Sequence, residues 1–330
     1  MSLGFCDLQV NGFKGVDFSS PTLTPDEILF VSRELFKLGV LGYCPAVISS
    51  PLEVYRRNLP ILAKASKSKE GAQILGIHLE GPFINAMNGP RGIHPEEYIQ
   101  LPSFELFDKF VTWAENQIAL LTIAPELLGS LELIEHIVST TDIVVSLGHL
   151  NADPTIIKDA IDTGARAATH IGNGLMDLIP RHNNPLWPIL ADDRIYGLFI
   201  TDGSHLPSAM VKVCLRAKGA SKFIVTSDMV HLGGASPGQY DFHGIPVEIK
   251  SDGSIRRKGS TQHAGASIPM ISCMNYLASL GELDVKGLAQ VGYENPLALL
   301  NQTIDDDRLN KAPPLIWKSN QFYLEIENTF

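Results

Sequence analysis

At 330 residues, with 45% hydrophobic and 19% charged side chains, the chain carries ample apolar material for a folded core, and disorder or coiled coil is excluded. A formal charge of −10 argues against nucleic acid or an anionic membrane as partner, because both select basic surfaces. No run of about 18 apolar residues occurs and no signal-peptide pattern opens the chain, so a cytoplasmic protein is expected, with Cys6, Cys44, Cys214 and Cys273 as core thiols.

Short β-rich runs alternate with amphipathic helical runs along most of the chain. Strands are predicted at 5–10, 40–48, 73–79, 118–123, 142–148, 165–170, 195–201 and 222–227. After the first strand, Thr24 caps a helix, Pro25 suits its first position and Glu27 completes a capping box. Asp153-Pro154 repeats the device, with Gly164 as the stop, and later helices are expected at 206–217 and 267–280, closed by Gly219 and Gly281. Eight such alternations favour an α/β fold, a closed (β/α)8 TIM-type barrel in a single domain over 1–330. The Gly-rich stretch 233–259 predicts a β-hairpin insertion after strand eight, and 313–330 reads as a peripheral C-terminal segment with a strand at 322–326.

In such a barrel the C-terminal ends of the strands face one pocket. Those ends carry Gln9 and Asn11, Glu80, His149, His170, Asp202 with His205, and Asp228. Glu80 closes a strand that breaks at Gly81-Pro82, and with His149 and His170 it supplies one carboxylate and two imidazoles. That is a ligand set for a catalytic Zn2+ with an open position, and Fe2+ or Mn2+ suit the same set. Singly, each histidine is more often a hydrogen-bonded strand-end residue, but their shared location favours ligation. Asp228 would be the general base, against the alternative that it caps the next segment. His78 shares a strand face with Glu80 and reads as packed support, while His231 and His263 are assigned no role.

Cys6-Asp7-Leu8-Gln9-Val10-Asn11-Gly12, Gly76-Ile77-His78-Leu79-Glu80-Gly81-Pro82-Phe83, Ile123-Ala124-Pro125-Glu126, Gly148-His149-Leu150-Asn151-Ala152, Thr169-His170 with Asn173, Asp202-Gly203-Ser204-His205 and Ser227-Asp228 occur in order over roughly residues 5–270. In these pieces the chain resembles the N-acetylglucosamine-6-phosphate deacetylases of the metal-dependent amidohydrolase superfamily. The resemblance implies a hydrolase that removes acetate from an N-acetylated amino-sugar phosphate, with a metal on Glu80, His149 and His170 and Asp228 as acid/base. It implies one divalent metal per subunit, because Gln9-Val10-Asn11 stands where many superfamily members have His-x-His. By the same resemblance, His94 falls at the family histidine near the acetamido group and would stabilise the oxyanion. Arg181 falls at the phosphate-contacting arginine, His205 at a further substrate contact, and Asn173-Gly174 would add a backbone donor.

The chain departs from the family at Gly172 and Gly174, which are expected to loosen their loop, and the front part of the small β-sandwich is expected to be lacking, because the first barrel strand begins at once. The small-residue segment expected after strand eight is nearly matched by Ala264-Gly265-Ala266-Ser267. A homodimer is implied by the family. Two alternatives stand beside the deacetylase reading. One is an amidohydrolase for another N-acyl sugar, N-acyl amino acid or cyclic amide, and the other is a non-catalytic sugar-phosphate-binding protein.

Overall fold

All eight predicted strands form, and each pairs in parallel with the next. The computed structural model describes residues 4–260 and 263–325. In it β1 (Phe5–Val10), β2 (Val40–Ile48), β3 (Ile77–Glu80), β4 (Ile118–Ile123), β5 (Val144–Leu147), β6 (Ala167–Ala168), β7 (Tyr196–Ile200) and β8 (Phe223–Thr226) hydrogen-bond in that order. A helix follows each strand and covers its outer face, so the strands are buried on both sides; every residue of β2 is buried. The first helix, Pro25–Lys37, has the expected reciprocal bonds between Thr24 and Glu27, a cap that contributes about 1 kcal/mol. Helix Pro154–Thr163 is capped by Asp153 and stops at Gly164.

Alternation along the strands sorts the side chains. Leu79, Leu121, Val145, Phe199 and Val225 pack outward against the helices, whereas Leu120, Ala167, Leu198 and Ile224 join Cys6, Leu8, Leu41 and Cys44 inside the barrel. Leu297 and Ile304 belong to the same inner cluster and close the N-terminal end of the barrel. All four cysteines are buried and free.

The seam between β1 and β8 has no regular ladder. It is closed at the pocket end by a parallel bridge between Val10 and Met229, and lower down by the buried carboxylate of Asp7. Asp7 Oδ1 accepts from the Thr226 hydroxyl at 2.7 Å and from the Ser227 N–H at 3.1 Å. The side chain thus takes over the pairing that two adjacent strands would otherwise supply. Burial raises the carboxyl pKa above its ordinary value, and these hydrogen bonds pull it back down.

Three expectations are corrected. The third strand is interrupted at Gly76, whose φ of 124° breaks residues 73–74 from Ile77–Glu80. The insertion after β8 is larger than a hairpin. It is a four-stranded antiparallel meander of β9 (Gly238–Phe242), β10 (Ile245–Ile249), β11 (Ser254–Arg257) and β12 (His263–Ala266). Phe242, Val247, Ile249 and Ile255 give it its own small core, a pattern that the Gly-rich composition hid. The tail strand is the second arm of a hairpin, β13 (Leu315–Lys318) and β14 (Gln321–Leu324), and the end of the run predicted at 322–326 lies outside the described residues. Asn275 docks this hairpin by exchanging two hydrogen bonds with the Phe322 backbone, and the Phe322 ring meets Phe5 edge-on at 5.3 Å.

Asp7→Ala is expected to lower the unfolding free energy by about 3 kcal/mol, because it strands three buried donors, on Thr226, Ser227 and Gln9. Asp7→Asn keeps an acceptor at Oδ1 and removes a buried charge, so in urea melts at pH 7 it should match or exceed wild type.

Candidate active site

Above the apolar plug of the barrel lies a polar layer. His78 Nδ1 faces the Leu8 carbonyl at 3.1 Å, and because a carbonyl only accepts, Nδ1 carries the proton. His78 Nε2 therefore accepts from the Thr122 hydroxyl at 2.8 Å, Thr122 accepts from Thr169 at 2.8 Å, and Thr169 accepts from Ser146 at 2.6 Å. Burial keeps this histidine neutral, pushing its pKa down to about 4. His78 is thus a support beneath the pocket, as its strand position suggested.

One layer higher, β3 ends in Glu80, and the turns after β5 and β6 deliver His149 and His170. Glu80 Oε1 lies 3.1 Å from His149 Nε2 and 2.9 Å from His170 Nε2, and the two Nε2 atoms are 3.0 Å apart. Both histidines leave their strands in the left-handed region, at φ 51° and 27°, and Asp228 does so at φ 52°. Such a conformation is unfavourable for non-glycine residues and persists only where the surroundings impose it. Gly148 is required on steric grounds, because a Cβ there would stand 2.8 Å from Thr169 Cβ and 2.9 Å from Thr122 Cγ2.

These residues fit a divalent cation. His149 Nδ1 donates to the Pro90 carbonyl at 2.7 Å, which leaves the Nε2 lone pair facing Glu80 and His170. Three buried donor atoms about 3 Å apart form one face of a tetrahedron, whose edges are about 3.3 Å for bonds near 2.0–2.1 Å. Among the described residues this is the one such group of three.

Gln9 and Asn11 hold the second carboxylate against the first. Gln9 Nε2 donates to Glu80 Oε1 at 2.6 Å and to Asp228 Oδ1 at 2.9 Å, and Asn11 Nδ2 donates to the same Asp228 oxygen at 2.7 Å. Loss of solvation, and then the Glu80 charge, push the Asp228 pKa up to about 8. The Asp228 backbone is also fixed, since its carbonyl accepts from Ala266 N–H at 3.1 Å. The near-matching small-residue segment after β8 is therefore the strand that pins Asp228. Gly265 belongs to it because a Cβ there would meet Val230 Cγ1 at 2.3 Å.

His94 sits beside the triad, its Nε2 being 3.9 Å from Glu80 Oε2. Ser49 N–H donates to His94 Nδ1 at 3.3 Å, so the neutral ring carries its proton on Nε2, facing the pocket. Burial and the neighbouring His149 push the His94 pKa down to about 3, which keeps it a neutral donor.

A cavity of about 730 Å3 opens over these groups, and Asn173, Gly174, His205 and His263 line it as well. The loop with Gly172 and Gly174 is constrained rather than loosened. A Cβ at Gly172 would come within 2.7 Å of Leu206 and Met210, and one at Gly174 within 3.0 Å of His149 Nδ1. His205 Nδ1 bonds to Asp202 Oδ2 at 2.7 Å, and its ring lies 4.1 Å from that of His263. Arg181 is not brought to the cavity. It is exposed on the rim loop, where its carbonyl accepts from Trp187 Nε1 at 3.1 Å. His231 is not among the cavity-lining residues; its ring stacks at 5.2 Å on Phe242, which is.

Sequence reasoning passes over Ser49 and the Pro90 carbonyl and assigns His263 no role. These groups carry no local signal, because Ser49 and Pro90 act from loops and His263 from the inserted meander, whose approach depends on the closed barrel.

No family model matches the chain. The chain is 34% identical to the N-acetylglucosamine-6-phosphate deacetylase of Mus musculus over 311 residues, covering 90% of this chain and 73% of that protein. It is 29% identical to the N-acetylglucosamine-6-phosphate deacetylase of Bacillus subtilis (strain 168), covering 90% and 80%. The crystal structure of N-acetylglucosamine-6-phosphate deacetylase from Pasteurella multocida superposes with a TM-score of 0.80 at 28% identity, over 91% of this chain and 76% of that one. With these relatives, and with the carboxylate, imidazoles and aspartate assembled over one barrel mouth, the chain belongs to the N-acetylglucosamine-6-phosphate deacetylase family of amidohydrolases.

Proposed function

We propose that the chain hydrolyses the acetamide of N-acetylglucosamine-6-phosphate or a close amino-sugar phosphate, releasing acetate and the free amine. The observation that carries this reading is the meeting of the Glu80–His149–His170 group with an amide-held Asp228 in one cavity, on a chain whose relatives are deacetylases. Glu80, His149 and His170 would hold one divalent ion, Zn2+ ahead of Fe2+ or Mn2+, which when bound supplies Lewis acidity and lowers the pKa of water.

Asp228 is the general base. Its Oδ1 is occupied by Gln9 and Asn11, so Oδ2 is the oxygen left to take a proton. Asp228 takes a proton as the water oxygen bonds to the acetamido carbon and the carbonyl electron pair moves onto its oxygen. His94, neutral and protonated on Nε2, donates to that oxygen. Asp228 then returns the proton to the sugar nitrogen, the C–N bond breaks, and acetate and the amine leave.

Among the described residues no Lys or Arg lines the cavity. The positive charge for a phosphate is therefore assigned to Arg181 on the rim, with the Asp202-oriented His205 and the Asn173-Gly174 turn adding hydrogen bonds. In the same reading the chain acts as one barrel domain over 1–330 with 313–330 peripheral, in the cytoplasm, as a homodimer. Pairing is supported by Leu178 and Trp187, which are 89% and 52% exposed beside Arg181. The buried free thiols support a reducing compartment. No described helix is long and apolar enough to cross a membrane.

Asp228→Asn should keep metal content near wild type by elemental analysis while acetate release falls about 10³-fold. Glu80→Gln should lose metal first, with activity following. Substantial turnover by Asp228→Asn would remove the base assignment. Arg181→Ala should raise KM for the 6-phosphorylated substrate about tenfold or more and leave N-acetylglucosamine turnover unchanged. Equal effects on both substrates would take Arg181 out of phosphate recognition.

A further inference from the structure

The turn that carries His149 is held by a residue outside the cavity. Glu126 lies in the loop after β4 and is not among the cavity-lining residues. Its Oε1 accepts two hydrogen bonds, from the Asn151 backbone N–H at 2.5 Å and from Asn85 Nδ2 at 2.8 Å. Asn85 is itself buried, and its own backbone N–H donates to the His149 carbonyl at 2.9 Å. The Leu150 N–H that follows donates to the Gly174 carbonyl at 3.2 Å. His149 has a φ of 51°, so its peptide does not rest in this orientation unaided. Two of the three hydrogen bonds that pin it run through Glu126, directly to Asn151 or by way of Asn85.

The same residue joins the two loops that orient the imidazole. Asn85 belongs to the segment after β3 that also supplies Pro90, whose carbonyl fixes the His149 tautomer. Asn151 belongs to the turn that bears the ring. A single carboxylate oxygen thus sets the distance between the loop that holds His149 Nδ1 and the turn that aims Nε2. Glu126 Oε2 is buried without a partner. The geometry therefore uses one accepting oxygen and makes no use of the second.

We propose that Glu126 is a positioning residue for the metal ligand His149, an acceptor whose oxygen, and not its charge, holds the left-handed turn in its ligating orientation. The inference rests on the metal reading of Glu80, His149 and His170, and deepens it. It assigns a task to the Ala-Pro-Glu segment that neither the cavity nor the chemistry had used.

The test compares Glu126→Ala, which removes the accepting oxygen, with Glu126→Gln, whose amide keeps an oxygen at the Oε1 position and removes the charge. Zn2+ affinity would be measured by chelator competition, and the visible spectrum of the Co2+-loaded protein recorded as a reporter of ligand geometry. Glu126→Ala is expected to weaken Zn2+ binding about 10- to 100-fold and to alter the Co2+ bands. Glu126→Gln should stay within about threefold of wild type with unchanged bands. Asn85→Ala, which removes one donor and keeps the backbone bond from residue 85 to His149, should fall between them and serves where Glu126→Ala does not fold. Wild-type affinity in Glu126→Ala or Asn85→Ala would overturn the proposal, as would a loss in Glu126→Gln as large as that in Glu126→Ala. Absence of Zn2+ binding by the wild-type chain would overturn the metal reading itself, a failure distinguishable from the others.

Discussion

Two carboxylates, Glu80 and Asp228, share one buried amide. Gln9 Nε2 lies between them, and this three-way contact sets the rest of the site. Like charges converging away from water are unfavourable unless donors or a cation compensate them. Here Gln9 and Asn11 compensate on one side, and the two imidazoles stand on the other. The arrangement leaves the Glu80 carboxylate between two imidazoles and keeps the Asp228 carboxyl beside it on amide donors.

The scaffold supports that contact by fixing backbone rather than by adding ligands. His149, His170 and Asp228 all leave their strands in the left-handed region, and the turns of His149 and Asp228 are pinned by hydrogen bonds from neighbouring segments. Asp228 is held by the last strand of the meander, and His149 by the loops after β3 and β4. Below them the chain from Ser146 through Thr169 and Thr122 to His78 and the Leu8 carbonyl links β5, the turn after β6, β4, β3 and β1. Its direction follows from a single acceptor at its end, so the whole layer has one arrangement of protons. A rigid polar floor of this kind keeps the strand ends that carry Glu80, His149 and His170 in register.

The closure of the barrel depends on the same strand. The seam between β1 and β8 lacks a ladder, and it is closed by the side chain of Asp7, two residues before Gln9. β1 therefore performs two tasks with alternate residues: Asp7 joins the sheet, and Gln9 joins the carboxylates. The register irregularity between Asp7 and Val10 is where the strand changes from one task to the other.

The eight strands, their helices and the residues at the strand ends were legible in the amino-acid order, because parallel barrels repeat a strong local pattern of apolar runs, caps and glycine stops. Glu80, His149, His170 and Asp228 were legible for the same reason, each being the polar residue at or just past the end of an apolar run. What those residues do to one another is settled only once the barrel closes. Ser49 sets the proton of His94, Pro90 sets that of His149, and Glu126 reaches both loops, although most of these partners are tens of positions apart along the chain. Closure also puts Arg181 on the rim and not in the cavity, and makes the Gly-rich insertion a four-stranded sheet that pins Asp228. Such contacts are made between loops, and loops meet where barrel closure brings them together, which no local pattern of residues encodes.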